Sequence, residues 1–185
     1  MPEADACSFS ECLFDENAAL LERTAALLAD LEAEAYAAVD ARCLGGSIGG
    51  HTRHCVEFYQ VFLAGLDSGR IDYDARARDV RIENDLPHAV AALRHTAGHL
   101  REVSSSQDTM HLLRVIENHT GSDSDWSATS VGRELRFLLS HTVHHCALIA
   151  ILLRLRGCEV PEGFGIAPST LRHRAAQSAP ATCAA

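Results

Sequence analysis

The stretch from Leu135 to Leu155 leaves this chain little choice of architecture. Its positions Leu138, Thr142, Ile149 and Leu152 recur in alternating steps of three and four, the spacing that lines one face of an α-helix. His145 falls in that series where a leucine is expected. His141 sits beside the stripe, one turn earlier, and residues four apart on a helix point the same way. Two imidazoles turned towards a helical core need partners, and a divalent metal satisfies both at once. A hydrogen-bonded pair of core histidines is the alternative that this segment leaves open.

Further helices follow from the same periodicity. Asp15 or Asn17 is placed to cap a first helix running to about Cys43, with Leu20, Leu27, Leu28, Leu31, Ala35 and Ala38 on one side. Leu44-Gly45-Gly46 ends it, and Ser47 caps a second helix reaching about Leu66, where Asp67-Ser68-Gly69 stops it. Ile48, His51, Cys55, Phe58 and Phe62 form the inner face of that second helix. The polar connection Arg70 to Asp85 is too long for a tight turn and suits a crossover along a bundle. Pro87 fits the first turn of a third helix ending near Val103. Met110 to Ile116 reads equally as an extended piece or a helical turn, and Gly121 to Asp125 reads as a loop. Ser130 caps the last long helix, which ends at Gly157, and a short helix begins at Ser169. The expected architecture is all-α: a four-helix bundle with a long crossover between helices 2 and 3. It forms a single domain over residues 1–176, with 177–185 a disordered tail.

Composition narrows the function. The 185 residues suffice for one domain with a real core. Sixteen basic against 25 acidic residues give a net charge of −9, which argues against a nucleic-acid groove. Lysine is absent, so every basic residue is an arginine. The seven cysteines include no C-x-x-C pair, which excludes a zinc knuckle or a thioredoxin-like motif. The acidic N-terminus lacks an apolar signal core, and Ser140, three histidines and Arg154 interrupt the longest apolar run. A reduced cytoplasmic protein without a membrane span is expected.

The second helix adds His51 to the stripe, the natural third ligand for His141 and His145. Three neutral nitrogens leave a fourth position for water or substrate, as catalytic zinc sites do. His54 lies three residues on and can replace His51. His144 is a surface or supporting histidine. Glu57 either holds a ligand's second nitrogen or is an exposed acid on an amphipathic helix. Cys55 and Cys146 lie beside the proposed ligands and are either soft-metal ligands or small core residues. Arg76 and Arg78 can bind the carboxylates of an acidic substrate or thiol cofactor, or pair with Asp74, Asp79 and Glu83.

The pattern Gly49-Gly50-His51-x-x-His54 opening the second helix, with His141-x-x-x-His145 in the last, resembles the DinB-like (DinB/YfiT) superfamily. The likeness covers nearly the whole chain. It extends to Tyr73-Asp74-x-Arg76-x-Arg78-Asp79, Arg133-Glu134-Leu135 and Phe164-Gly165-x-Ala167-Pro168-Ser169-Thr170, segments shared with an uncharacterised bacterial subgroup. The resemblance implies a four-helix bundle holding a metal through three histidines, often as a homodimer. By position His51 matches the family's first ligand, and His141 and His145 the second and third. Some relatives are thiol S-transferases using bacillithiol, mycothiol or another low-molecular-weight thiol, and one is a maleylpyruvate isomerase. Many relatives carry Gly-Gln after the last ligand, where this chain has Cys146-Ala147-Leu148.

Two classes of function remain. In one, a zinc, nickel or iron ion lowers the pKa of a thiol or water, and the chain transfers or isomerises a small-molecule electrophile. In the other, the bundle binds a metal or small ligand without turnover. No residue stands out as a general base.

Overall fold

A computed structural model describes residues 9–116 and 125–178. The four long helices are α1 (Phe9–Ala29), α3 (Ile48–Gly65), α5 (Leu86–Ser104) and α6 (Val131–Leu155). Short helices α2 (Ala33–Ala37) and α4 (Val80–Asn84) lie between them, and α7 (Pro168–Ser178) follows. Strands β1 (Arg70–Asp72), β2 (Leu112–Ile116) and β3 (Ser127–Ser130) form one small sheet. Among the described residues the protein is therefore mainly helical, with seven helices and three strands.

Side-chain caps set three of the long helices. Ser47 accepts from Gly50 N at 2.9 Å, Asp85 from His88 N at 3.1 Å and Ser130 from Arg133 N at 3.3 Å, each satisfying a donor that the first turn leaves open. Pro87 lies in the first turn of α5, where its missing N–H costs nothing. α1 packs along α5, and α3 packs against α6. The apolar faces of all four meet in one core that holds Leu21, Leu28, Phe62, Leu93, Leu100, Leu135, Leu138 and Ile149. α6 is long and apolar enough to cross a membrane by length and composition, yet Leu138, Ile149 and Leu152 are buried in this core.

The first helix differs from its prediction at both ends. It begins before Asp15 and Asn17, so neither caps it, and it stops at Ala29 instead of Cys43. The break lets the chain turn and bury Tyr36 on α2, whose hydroxyl donates to Ile82 O at 2.6 Å. Tertiary burial here overrides the helix propensity of an Ala-Glu-rich stretch. Asn17 instead sits inside α1, fully buried. Its Nδ2 donates to Leu13 O at 2.8 Å, and its Oδ1 accepts from Tyr59 OH at 2.7 Å. Tyr59 OH in turn accepts from Thr142 Oγ1 at 3.2 Å, so one buried chain of hydrogen bonds joins α1, α3 and α6.

Residues 70–85 contain β1 and α4. β1 pairs in parallel with β2, Ile71 opposite Val115, and β2 pairs antiparallel with β3, Leu113 opposite Thr129. Met110 to Ile116 thus resolves to a strand over its last five residues. Most of the predicted Gly121–Asp125 loop, and of the tail after 177, lies outside the described residues.

Two glycines test this packing with opposite signs. A Cβ on Gly49 would lie 1.9 Å from Glu83 O, whereas one on Gly98, within α5, meets nothing within 4 Å. In urea titrations Gly49→Ala is expected to lose about 1–3 kcal/mol through overpacking. Gly98→Ala should gain roughly 0.5–1 kcal/mol from helix propensity.

Candidate metal centre

α3 and α6 carry the site, and their buried neighbours decide which histidines meet. His54, His141 and His145 are each followed by a buried residue: Cys55, Thr142 and Cys146. Thr142 bonds across to Tyr59 of α3 and Cys146 lies 3.4 Å from Thr24 Oγ1 of α1, so the inner faces are fixed and the histidines line the adjacent, half-buried edge. There His54, His141 and His145 each offer one nitrogen, and the three atoms lie within 4.8 Å of one another. The His54 ring centroid is 4.9 Å from that of His141 and 4.6 Å from that of His145. His51, placed first among the ligands by the sequence, meets the cluster through His145: their Nδ1 atoms are 3.0 Å apart.

An aromatic plate supports these rings. Phe58 stacks on His141 at 4.5 Å and on Tyr73 at 4.8 Å, and the Arg76 guanidinium lies 4.6 Å from its centroid. The same guanidinium donates from Nη1 to His54 Nδ1 at 3.1 Å, while its buried Nε has no hydrogen-bond partner. Arg76 therefore reaches the cluster, and Arg78 does not. Arg78, at φ +52°, turns back onto the carbonyls of Asp74 and Arg76.

Glu57 corrects both roles considered for it. It is neither an exposed acid nor a partner of a histidine ring. It is 2% exposed, and its Oε1 accepts from Asp79 N at 2.7 Å, anchoring the segment that carries Arg76. His144 is exposed, with its ring edge-on to His145 at 5.2 Å. Burial pushes the Cys55 thiol well up and the Cys146 thiol to about 11. Both are buried, Cys146 with its Sγ 3.4 Å from Thr24 Oγ1, and the converging set of donor atoms is made of the three histidines without either thiol. Cys43, Cys55, Cys146 and Cys158 are free thiols.

The electrostatics hold the cluster neutral. Burial, reinforced by His141 and Arg76, lowers the His54 pKa to about 4. Burial, reinforced by His54 and His141, lowers that of His145 to about 3. His51 and His141 are lowered as well, again chiefly by burial. Neutral imidazole is the form that binds a metal. His141 Nε2 is buried and has no hydrogen-bond partner, an atom for which a cation would supply the missing interaction. The donor set, three converging imidazoles with no thiolate, fits zinc, nickel or iron.

Two features beside the site escaped the sequence. Phe58 was assigned to the inner face, but nothing in its spacing marks it as the plate beneath His141. Tyr73 OH donates to Glu134 Oε2 at 2.8 Å, and Glu134, fully buried, also accepts from Thr129 and Arg133. The segments Tyr73–Asp79 and Arg133–Leu135, separate in sequence, meet through that bond.

A mainly helical protein with three converging histidines on two adjacent helices defines a class, and the class has a name. The chain belongs to the DinB superfamily, whose family profile matches residues 16–149, and whose members generally bind a divalent metal. It is also 35% identical over 104 residues to FK506-binding protein 5 of Rhizopus delemar, a match covering 56% of this chain and 27% of that protein. The chain thus spans about a quarter of the length of that relative. No solved structure matches.

The lowered histidine values fix a pH dependence. The unfolded chain takes up protons near pH 6.5, while folded His54 and His145 resist them down to about 4 and 3. Their contribution is therefore complete above about pH 6.5 and lost as pH falls through that interval. Asp40 and Asp79, held near 2 by their neighbouring arginines, lose theirs only in more acidic solution. The urea midpoint of metal-free protein should fall between pH 7 and pH 5, and His54→Gln should reduce that fall. Identical midpoints at the two pH values would contradict the neutral cluster.

Proposed function

We propose that this protein is a divalent-metal-dependent enzyme that uses a low-molecular-weight thiol to transfer or isomerise a small electrophile. His54, His141 and His145 hold the ion, with zinc or nickel the best fits to three imidazoles. The observation that carries the proposal is the convergence of their nitrogens within 4.8 Å on a half-buried edge of α3 and α6. His54 takes the position that the sequence assigned first to His51.

The ion supplies Lewis acidity, which makes a thiol or water nucleophilic near neutral pH. The chain's own residues do the rest. Phe58 and Phe137 flank His141 and shield it, with centroids at 4.5 and 5.5 Å. Arg76 lies at the cluster with its guanidinium half-buried beside His54, a charge that suits a carboxylate on the substrate or the thiol. Arg78 braces the backbone beneath it. Glu57, by fixing Asp79 N, holds the Arg76 segment in place.

The same proposal takes α1, α3, α5 and α6 as a four-helix bundle, with residues 70–85 as the crossover between its second and third helices. It takes the protein as a cytoplasmic homodimer acting on a small molecule. A second possibility, metal or ligand binding without turnover, is favoured by one observation. The groove of about 630 Å³ between α1 and the segment after α6 is lined by Arg23, Leu27, Leu153, Cys158 and Phe164 and by no histidine.

Elemental analysis of protein purified without a histidine tag tests the site. Wild type should carry about one equivalent of zinc or nickel, and His54→Ala, His141→Ala and His145→Ala should each lose it. A wild type that stays well below stoichiometry after divalent ions are added back would end the metalloenzyme proposal. With metal established, Arg76→Ala should raise KM for an anionic substrate about tenfold or more, through loss of a charge-assisted hydrogen bond.

A further inference from the structure

We infer that His51 is a positioning residue for the metal centre: it accepts a hydrogen bond from His145 Nδ1 and thereby turns the Nε2 lone pair of His145 towards His54 and His141. The inference rests on the three-histidine site proposed above and adds a residue to it.

Three observations carry it. His51 Nδ1 and His145 Nδ1 are 3.0 Å apart, with ring centroids 5.2 Å apart and planes tilted by 43°. Two imidazole nitrogens at that distance share one proton, so the contact couples the tautomers of the two rings, and a His51 that accepts at Nδ1 carries its own proton on Nε2, which is buried without a partner. His54, by contrast, turns its ring towards both His141 and His145, and its one lone pair, at Nδ1 and met at 3.1 Å by Arg76 Nη1, is the one an ion would take over from that arginine. The third-ligand position is thus filled from the turn after His51, and His51 stands behind His145. Finally, the far edge of the His51 ring abuts the chain: a Cβ on Gly46 would lie 2.9 Å from its Nε2 and 3.1 Å from Cys43 O. The turn at Gly46 leaves room for the imidazole and no more. His51 is thereby held between that turn and His145, with its Nδ1 aimed at the ring it orients.

A metal-ligating histidine needs one nitrogen unprotonated for the ion and carries its proton on the other, which requires an acceptor. For His145 that acceptor is His51 Nδ1. The proton on His145 Nδ1 leaves Nε2 as the lone-pair atom, and the same bond holds the ring against rotation about its χ angles. Loss of such a partner characteristically weakens metal binding about 10–100-fold without removing the site.

The test compares full-length wild type, His51→Ala, His51→Gln and His54→Ala by zinc competition with a chromophoric chelator, and reads ring tautomers from long-range ¹H–¹⁵N spectra with and without zinc. His51→Ala should still bind one equivalent of zinc, about 10–100-fold more weakly. The His145 ring should then show a mixture of tautomers, with the His54 and His141 signals in place. His51→Gln, whose side-chain carbonyl can accept the same proton, should recover most of the affinity. It also keeps the test readable if the alanine variant fails to fold. Affinity within about twofold of wild type and an unchanged His145 tautomer in His51→Ala would overturn the inference. So would complete loss of zinc, matching His54→Ala and not rescued by glutamine, which would make His51 a ligand. If wild type takes up no zinc, the three-histidine site itself fails. The hydrogen bond is then still decided in metal-free protein, where His51→Ala must change the His145 tautomer.

Discussion

The buried hydrogen-bond chain Leu13–Asn17–Tyr59–Thr142 is the constraint on which the rest of the structure depends. It runs from a backbone carbonyl of α1 through an amide and a phenol to a hydroxyl on α6, and Asn17 and Tyr59 are fully buried. Apolar helices slide past one another at little cost when only leucines meet. A polar atom without its partner in the core costs about 1–3 kcal/mol, so a chain of such atoms selects one register. In that register Thr142 faces inward, and the histidines on either side of it, His141 and His145, come level with His54. The chemistry-bearing edge is thus set by residues that do no chemistry themselves.

Around that edge the protein balances opposite demands. Imidazoles must be buried enough to stay neutral and open enough to accept an ion. Burial lowers the pKa of His54 to about 4, yet its Nδ1 is met by an arginine, the group least able to lose its charge. The guanidinium carbon lies 4.6 Å from the Phe58 ring centroid, where the ring face favours a cation and part of its desolvation is offset. The site presents neutral donors beside the fixed positive charge of Arg76, with Arg53 acting on His54 from further off.

Much of this was legible in the sequence because it depends on local period and local caps. The starts of α3, α5 and α6 were readable from Ser47, Pro87 and Ser130, and the inner face Ile48, Cys55, Phe58, Phe62 from its spacing. The stations of the site, one on α3 and one on α6, were readable for the same reason. What failed depends on contacts distant in sequence. The end of α1 is decided by Tyr36 reaching Ile82 O, 46 residues away, and no local signal marks it. That the nitrogens of His54, not those of His51, converge with His141 and His145 depends on how α3 rotates against α6, a matter of a fraction of a turn. The burial of Glu57 follows from a backbone N–H 22 residues on, invisible to any pattern of polar and apolar residues.

The separation in sequence between the two stations has a kinetic consequence. His51 and His145 are 94 residues apart, and β1 cannot pair with β2 until α4 and α5 have been laid down between them. Contacts of such long range form late, after the entropy of closing the intervening chain has been met. An ion bound by histidines from both stations therefore recognises only chain that has nearly finished folding. Its binding free energy is added to the native state alone, by about 4 kcal/mol when free ion exceeds Kd a thousandfold. Under the proposed function, metal supply would then set how long a newly made molecule survives as well as whether it is active.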